Sequence, residues 1–436
     1  MSVQYAEVYL WSTRVGIVSY DDNDSFARFE YDKDFLRSGI EISPIVMPLS
    51  ENVYYFPNLD RQTFKGLPGL LADSLPDRFG DAVIDSWLES SGLNPYNFSP
   101  IDRLCYVGQR GMGALEFVPS IGPETTSDEI IEINKMVDVA SKVLSRRKEL
   151  HFSSEDIGYA NLLKFSTSAG GARAKAVVAI NEKTNEICSG QISNKKGYSY
   201  WIIKFDEVTN NGDHNQIDSK GYTKVEYAYY LLAKLAKINM SECRLYEDNG
   251  MHHFMTRRFD RKIDTGEKIH MQSLCGLTHI DYNEPRACSY ELASKYCLKL
   301  GIGNDEICEL YRRMVFNVLA INNDDHVKNI SFLMDRSGKW SLAPAYDLCF
   351  SYNNNSKWVS QHQMTINNKS KDINYFDLLQ CADSMNIKRT KAKQIIEDVA
   401  SAVKNWKQIA TKVNVNQEYV ELIDSMIDKQ LAILLN

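Results

Sequence analysis

Three oxygen-bearing side chains carry the strongest chemical signal in this 436-residue chain. Asp324 is followed five positions later by Asn329 within NDDHVKN, and Asp347 lies beyond ISFLM, DRSG and KWSLAP, which read as a hairpin. An Asp-x4-Asn loop returned by a hairpin to a second Asp suits phosphoryl transfer, a reaction that asks little covalent chemistry of the protein and much management of charge. Asp324 would orient or accept the proton of an attacking hydroxyl. Asn329 and Asp347 offer hard oxygens to magnesium, which takes a few protein ligands alongside nucleotide phosphate and water. Lys328 could neutralise charge on the transferred group. His326 shapes the loop or touches the nucleotide. The plainer reading is a loop of polar residues making local capping bonds. Asp325 competes with Asp324 for the role of base, and the spacing to Asn329 favours Asp324.

Two other segments could manage phosphate charge. In STSAGGARAK, residues 166–175, the adjacent Gly170 and Gly171 let backbone amides approach phosphate oxygens, and Arg173 or Lys175 adds positive charge. It is neither a Walker A loop nor GxGxxG, and taken alone it reads as an ordinary hairpin turn. Lys204 follows four aromatic or aliphatic residues in YWIIKF. An ammonium at the rim of a buried strand needs an anion, either nucleotide phosphate or Glu226 on the next helix. A strand Lys paired with a helix Glu recurs in kinase sites. A solvated lysine and a surface glutamate are the other reading, and for Glu226 both stay open. His252 and His253 read as part of an edge strand without a carboxylate at metal spacing.

These residues need strands and helices to hold them. AEVYLW and VGIVSY read as strands with DDND as a turn. Phe79, Val83, Ile84 and Trp87 recur at helical spacing, with Asp73 or Ser74 as cap and Gly92 as stop. VGQRGMGALEFVPS is a Gly-rich turn entering a strand. NLLKFST, AKAVVAI and YSYWIIKF read as three strands, a helix spans about 224–237, and RLYEDN and HHFMTRRFD form a hairpin through Asn249-Gly250. From Ser289 the pattern is mostly helical apart from the hairpin at 330–345. The order implies an α+β, bilobal, protein-kinase-like fold with a β-rich N-terminal lobe and a mainly helical C-terminal lobe. Four parts are expected: a β-rich subdomain at 1–125, a helical connector at 126–158, a nucleotide-binding N-lobe core at 159–260 and a helical C-lobe at 261–436.

Composition narrows the function classes. A net charge of −7 gives no broad cationic footprint for nucleic acid. Lys388–Lys393 is a short basic run that suits a solvated helix face. The nine cysteines are irregularly spaced without a CxxC pair, which fits reduced thiols in a cytoplasmic protein rather than a disulfide or zinc framework. No secretion signal or membrane-spanning run is read.

NDDHVKN followed by APAYDL resembles the catalytic and metal-binding motifs of HipA-type serine/threonine kinases, the toxins of HipBA toxin–antitoxin modules. DSLPDRFG, RLCYVGQRGMGALEF, SAGGARAK and TRRFDR are similar to further family segments in the same order. The resemblance implies ATP and Mg2+ as cofactors, Asp324 as base, Asn329 and Asp347 on the metal, and Lys204 on the phosphates. The backbone of Gly170, Gly171, Ala172, Arg173 and Lys175 would lie near the phosphates, and Arg257 and Phe259 at the hinge beside adenine. Ser168, or alternatively Ser166, would be the autophosphorylated serine that silences the kinase. A HipB-like helix-turn-helix antitoxin would be the partner, with DNA reached only through it. The substrate would be a protein, such as an aminoacyl-tRNA synthetase or another translation factor. The chain departs from the family where Asp325 replaces a small residue and where Arg257 stands at a place that can be acidic. Two other functions fit parts of the pattern: a small-molecule phosphotransferase, and a DNA-tethered corepressor with a vestigial nucleotide site.

Overall fold

The computed structural model describes residues 3–21, 24–122, 133–145, 173–191, 195–206, 208 and 221–435. Ser166, Ser168, Gly170, Gly171, Ala172, the NLLKFST segment and much of the 126–158 connector lie outside the described residues.

The first sheet is antiparallel, in the order β4-β3-β2-β1-β5. Its strands are β1 (Tyr5–Leu10), β2 (Thr13–Tyr20), β3 (Ala27–Tyr31), β4 (Tyr54–Tyr55) and β5 (Leu115–Val118). Alternation sets its inner face: Ala6, Val8 and Leu10 are buried, while Tyr5 is exposed. That face does not close a core of its own. Leu70 and Leu71, on the one-turn helix Gly69–Ala72, join one continuous apolar cluster with Leu274 and Leu277 of the C-terminal half. The approach is closest at Gly69 and Gly276. A Cβ on Gly69 would run into the Gly276 carbonyl, and one on Gly276 into the Asp73 carboxylate.

The second sheet has the order β7-β6-β8-β10-β9. It comprises β6 (Lys175–Asn181), β7 (Ile187–Ser189), β8 (Tyr198–Lys204), β9 (Cys243–Asp248) and β10 (Met251–Arg257). One face is covered by Phe79 and Val83 of the helix Arg78–Ser90 and by Met136, Val139, Ala140 and Val143 of the helix Ile133–Ser145. Part of the expected connector is therefore packing, with its apolar side under the sheet. Asn249 and Gly250 both have positive φ, +49° and +78°, which makes the two-residue β9–β10 loop a type I′ turn.

A third sheet, β11-β12-β13, pairs His270–Ser273 with Ser331–Met334 and Trp340–Leu342. The last two are the expected hairpin; β11 has no clear sequence signal. The helix Asn304–Leu319 runs through the centre of the C-terminal lobe, buried from Ile307 onward except at Glu309. Four later helices, Tyr375–Ser384, Arg389–Val403, Trp406–Lys412 and Gln417–Leu435, complete the lobe around it.

Some local expectations change. The helix Arg78–Ser90 is entered from Asp77 at its N-cap, because Asp73 and Ser74 end the preceding turn instead. Gly92 follows its C-cap with φ +73°, as a stop should. The helix expected at 224–237 runs Tyr222–Leu235. The strand carrying His252 and His253 is internal, with β9 at the edge. His253 is fully buried and its Nδ1 accepts from the Asp206 amide at 3.0 Å, while the His252 amide donates to the Asp206 carboxylate. The nearby carboxylate that sequence spacing missed is thus a structural acceptor. No described helix is long and apolar enough to cross a membrane.

Candidate active site

A cleft of about 1050 Å³ opens between the second sheet, the C-terminal lobe and the helix Arg78–Ser90. Pairing registers set its upper wall. Lys175 lies opposite Lys204, and Lys204 lies opposite Phe254, so the three side chains share one sheet face. Like charges directly opposite each other are unfavourable, so this face calls for anions. The Lys204 ammonium sits 2.5 Å from Glu226 Oε1 and 2.5 Å from Asp347 Oδ1. Glu226, on the helix Tyr222–Leu235, is buried. Arg173 stacks over the Tyr222 ring at 4.1 Å and places a guanidinium nitrogen 3.9 Å from Glu226.

Burial works against the Lys204 charge, but Asp347 and then Glu226 outweigh it and hold its pKa above the ordinary lysine value. Burial likewise opposes the Asp347 charge. Lys204, followed by Lys175, overrides it and holds the carboxyl well below the usual carboxylate range. Lys175 behaves differently: burial first and Lys204 second push it down to about 8.

The loop after the central helix separates the two adjacent aspartates. Asp325 is buried and accepts from Tyr290 Oη at 2.9 Å and the Gln363 amide at 2.8 Å, with His362 Nδ1 at 3.0 Å. It is a fixed structural acceptor facing away from the cleft. Asp324 lines the cleft with its side chain 22% exposed. Asn329 donates its amide nitrogen to the Asp324 carbonyl at 2.9 Å, which closes the loop and leaves its side-chain oxygen as the acceptor. His326 also lines the cleft, 3.8 Å from Asp324 and with its ring 5.3 Å from that of Tyr282. Asp347 is held at φ +55°, a left-handed conformation uncommon outside glycine, and it leaves the chain there with its carboxylate in the cleft.

Lys328 does not point at open space. Its ammonium is hydrogen-bonded to Asp77 and lies 5.1 Å from the Tyr282 ring centroid. Asp73, four residues before Asp77 in the turn between two helices, accepts from the Ser273 amide at 2.7 Å and the Ser273 hydroxyl at 2.8 Å. The backbone of Lys328 accepts from Tyr346 Oη at 2.6 Å. Asp77 and Tyr346 were not singled out from the sequence, and Asp73 was read there only as a helix cap. Only the acidic residue at a helix start could have flagged Asp77, and it would have been read as a cap.

At the hinge, Phe259 lies 5.6 Å from the Tyr346 ring and lines the cleft. Arg257 reaches Glu242 at 3.2 Å and lies over Trp201. The next charges turn inward. Asp260, fully buried, pairs with Arg258 and Arg261 at 2.7 Å each and accepts from the Gly113 amide at 2.8 Å. Arg258 and Arg261 reach the Gly190 and Gly113 carbonyls. The TRRFDR segment thus clamps the Gly-rich turn of the first unit to the junction of the two lobes.

Among the described residues there is no group of three or more His, Cys, Asp or Glu side chains able to hold a metal. The oxygens of Asn329 and Asp347 are the donor set that magnesium takes when phosphates supply the remainder. Lys204 occupies Oδ1 of Asp347, whose side chain is still 41% exposed to the cleft. The donors fit that ion.

Comparisons with known proteins bear on the family and the fold. A family model for the HipA-like C-terminal domain matches residues 167–406, and one for the HipA N-terminal domain matches residues 6–118. The serine/threonine-protein kinase toxin HipA of Shewanella oneidensis is 25% identical over 370 residues, which cover 78% of this chain and 74% of that protein. The solved complex of Shewanella oneidensis MR-1 HipA, HipB and operator DNA contains a chain that superposes with a TM-score of 0.67 at 18% identity, over 98% of this chain and 96% of that one. The likeness is one of fold, and it is the kinase-like α+β fold expected from the sequence.

Proposed function

The chain belongs to the HipA family, and from that premise we propose that it is an ATP-dependent serine/threonine protein kinase acting as the toxin of a toxin–antitoxin pair. One observation carries the reading: the Lys204 ammonium bridges Glu226 and Asp347 in the cleft that also holds Asp324 and Asn329. Burying the charges of Lys204 and Glu226 is expensive unless they are paired, and this pairing, shared with the partly exposed Asp347, places a cation where nucleotide phosphates would lie.

In this reading Asp324 orients the substrate hydroxyl and receives its proton. Asn329 and Asp347 would hold magnesium, which neutralises phosphate charge when bound. Lys204 and Lys175 bind the phosphates, and Glu226 keeps Lys204 in register. Phe259 and Tyr346 supply an apolar platform for the base. A HipB-like antitoxin is the proposed partner, with DNA contacted through it; the support is the related chain solved with HipB and operator DNA. Autophosphorylation at Ser168 or Ser166 is the proposed silencing step.

The test is expression of wild type and Asp324→Asn in growing cells, with phosphoproteomics and ATP-binding measurements on both. Wild type should halt growth and place phosphate on a serine or threonine of one cellular protein. Asp324→Asn should bind ATP but lose transfer by about 100-fold or more, the scale of a lost catalytic group. Full transfer by a folded Asp324→Asn protein sinks the assignment of the base. Phosphate appearing on a small molecule alone sinks the protein-kinase reading.

A further inference from the structure

The contact between Lys328 and Asp77 joins residues 251 positions apart, one from the catalytic loop and one from the first unit. We propose that Asp77 is a positioning residue for phosphoryl transfer, holding the Lys328 ammonium at the point where the transferred group passes. The inference deepens the kinase reading and rests on it.

Asp77 occupies the N-cap of the helix Arg78–Ser90, where an aspartate normally accepts from an amide of its own first turn. Here it makes no capping bond. Its carboxylate is turned instead to Lys328. The helix thereby forgoes a stabilising cap, and the compensating contact lies in the cleft.

The frame around this contact is closely packed and hydrogen-bonded. The Gly69–Gly276 approach brings the turn before Asp77 against the helix Leu274–Thr278. Asp73 is pinned by two bonds from Ser273, the last residue of β11. On the other side, Lys328 lies between Asp324 and Asn329 in sequence, and Tyr346 bonds its carbonyl. The ammonium therefore cannot follow its flexible stem. Four carbons of lysine side chain would otherwise sample many rotamers, and transition-state charge stabilisation depends on donors already in place. Asp77 supplies that fixation from outside the two lobes, so the first unit completes the site.

The experiment compares Asp77→Asn, Asp77→Glu, Lys328→Ala and the double variant Asp77→Asn/Lys328→Ala in the full chain. Unfolding temperatures identify any variant that fails to fold. Steady-state kinetics should show kcat for Asp77→Asn reduced about 10- to 100-fold, the scale of a misplaced catalytic group. Its KM for ATP should stay within about twofold, because the uniform binding of nucleotide is untouched. Asp77→Glu should recover part of kcat, and the double variant should be no slower than Lys328→Ala alone. Multiplying effects in the double variant, or a raised KM with unchanged kcat, would overturn the proposal. A second readout needs no catalysis: amine acetylation at limiting reagent, quantified at Lys328 by mass spectrometry. Releasing the ammonium from Asp77 should raise labelling of Lys328 by about tenfold or more in Asp77→Asn, the effect of one unit in amine pKa, with other lysines unchanged. Equal labelling in both proteins refutes the hold. A wild type without any transfer activity would instead refute the kinase reading, and labelling would still decide the Asp77–Lys328 contact.

Discussion

Lys175 is a buried base facing a second ammonium, and that gives its charge a measurable effect on stability. In the unfolded chain its pKa is near the ordinary lysine value of 10.5, whereas in the fold burial and then Lys204 lower it to about 8. Above pH 10.5 the amine is neutral in both states, and below about 8 it is charged in both. Between those values the unfolded chain binds more protons, so stability rises with pH across that window. The full difference is about 3 kcal/mol, a penalty present at pH 7 and relieved by pH 10.5. Lys175→Met removes it. Urea unfolding at pH 7, 8, 9 and 10 should therefore show the variant more stable at pH 7 by up to about 3 kcal/mol, with the gap closing as pH rises. ATP phosphates should also restore the proton. Calorimetry of ATP binding near pH 8.5, in two buffers of different ionisation enthalpy, should show proton uptake in wild type and less in Lys175→Met. A variant less stable at pH 7, or a gap that ignores pH, refutes the placement of Lys175 on this crowded face.

Two substitutions test the division of labour among the aspartates. Asp325→Ala strands Tyr290, Gln363 and His362 in the interior and should cost about 3–5 kcal/mol of stability in denaturant titrations. Asp324→Ala, on a partly exposed side chain, should cost under about 1 kcal/mol. Asp260→Ala leaves Arg258 and Arg261 buried without their shared anion and should also cost about 3–5 kcal/mol, seen as a lower unfolding temperature; replacing all three residues with apolar ones of similar volume should restore much of it.

What the sequence made legible follows from how far apart the partners lie. The type I′ turn at Asn249-Gly250, the helix through Phe79 and Val83, and the alternation of β1 are set by neighbours within a few residues, and each was readable. The Lys204–Glu226 approach was half readable, because a strand and the helix after it constrain each other, yet spacing alone left a surface glutamate equally open. Asp324 and Asp325 look alike in one dimension. Burial separates them, and burial depends on Tyr290 and His362 arriving from distant segments. β11 was missed because its four residues gain their strand geometry only by pairing with β12.

The same reasoning explains what the sequence leaves unsaid about the β-rich subdomain at its start. Its sequence has its own strands and its own turn signals, and nothing local reveals that its sheet lacks a private core. In three dimensions Leu70 and Leu71 share a cluster with Leu274 and Leu277, and Gly69 and Gly276 are packed too closely to admit a side chain on either. The Gly113 amide and carbonyl engage the buried hinge charges, while Asp77 holds Lys328. Removing the first unit would therefore expose apolar surface of the C-terminal lobe and take away the contacts that Gly113 and Asp77 make to it. A kinase-like lobe arranged in this way depends on its N-terminal neighbour for geometry as much as for stability, which is why the cleft has three walls rather than two.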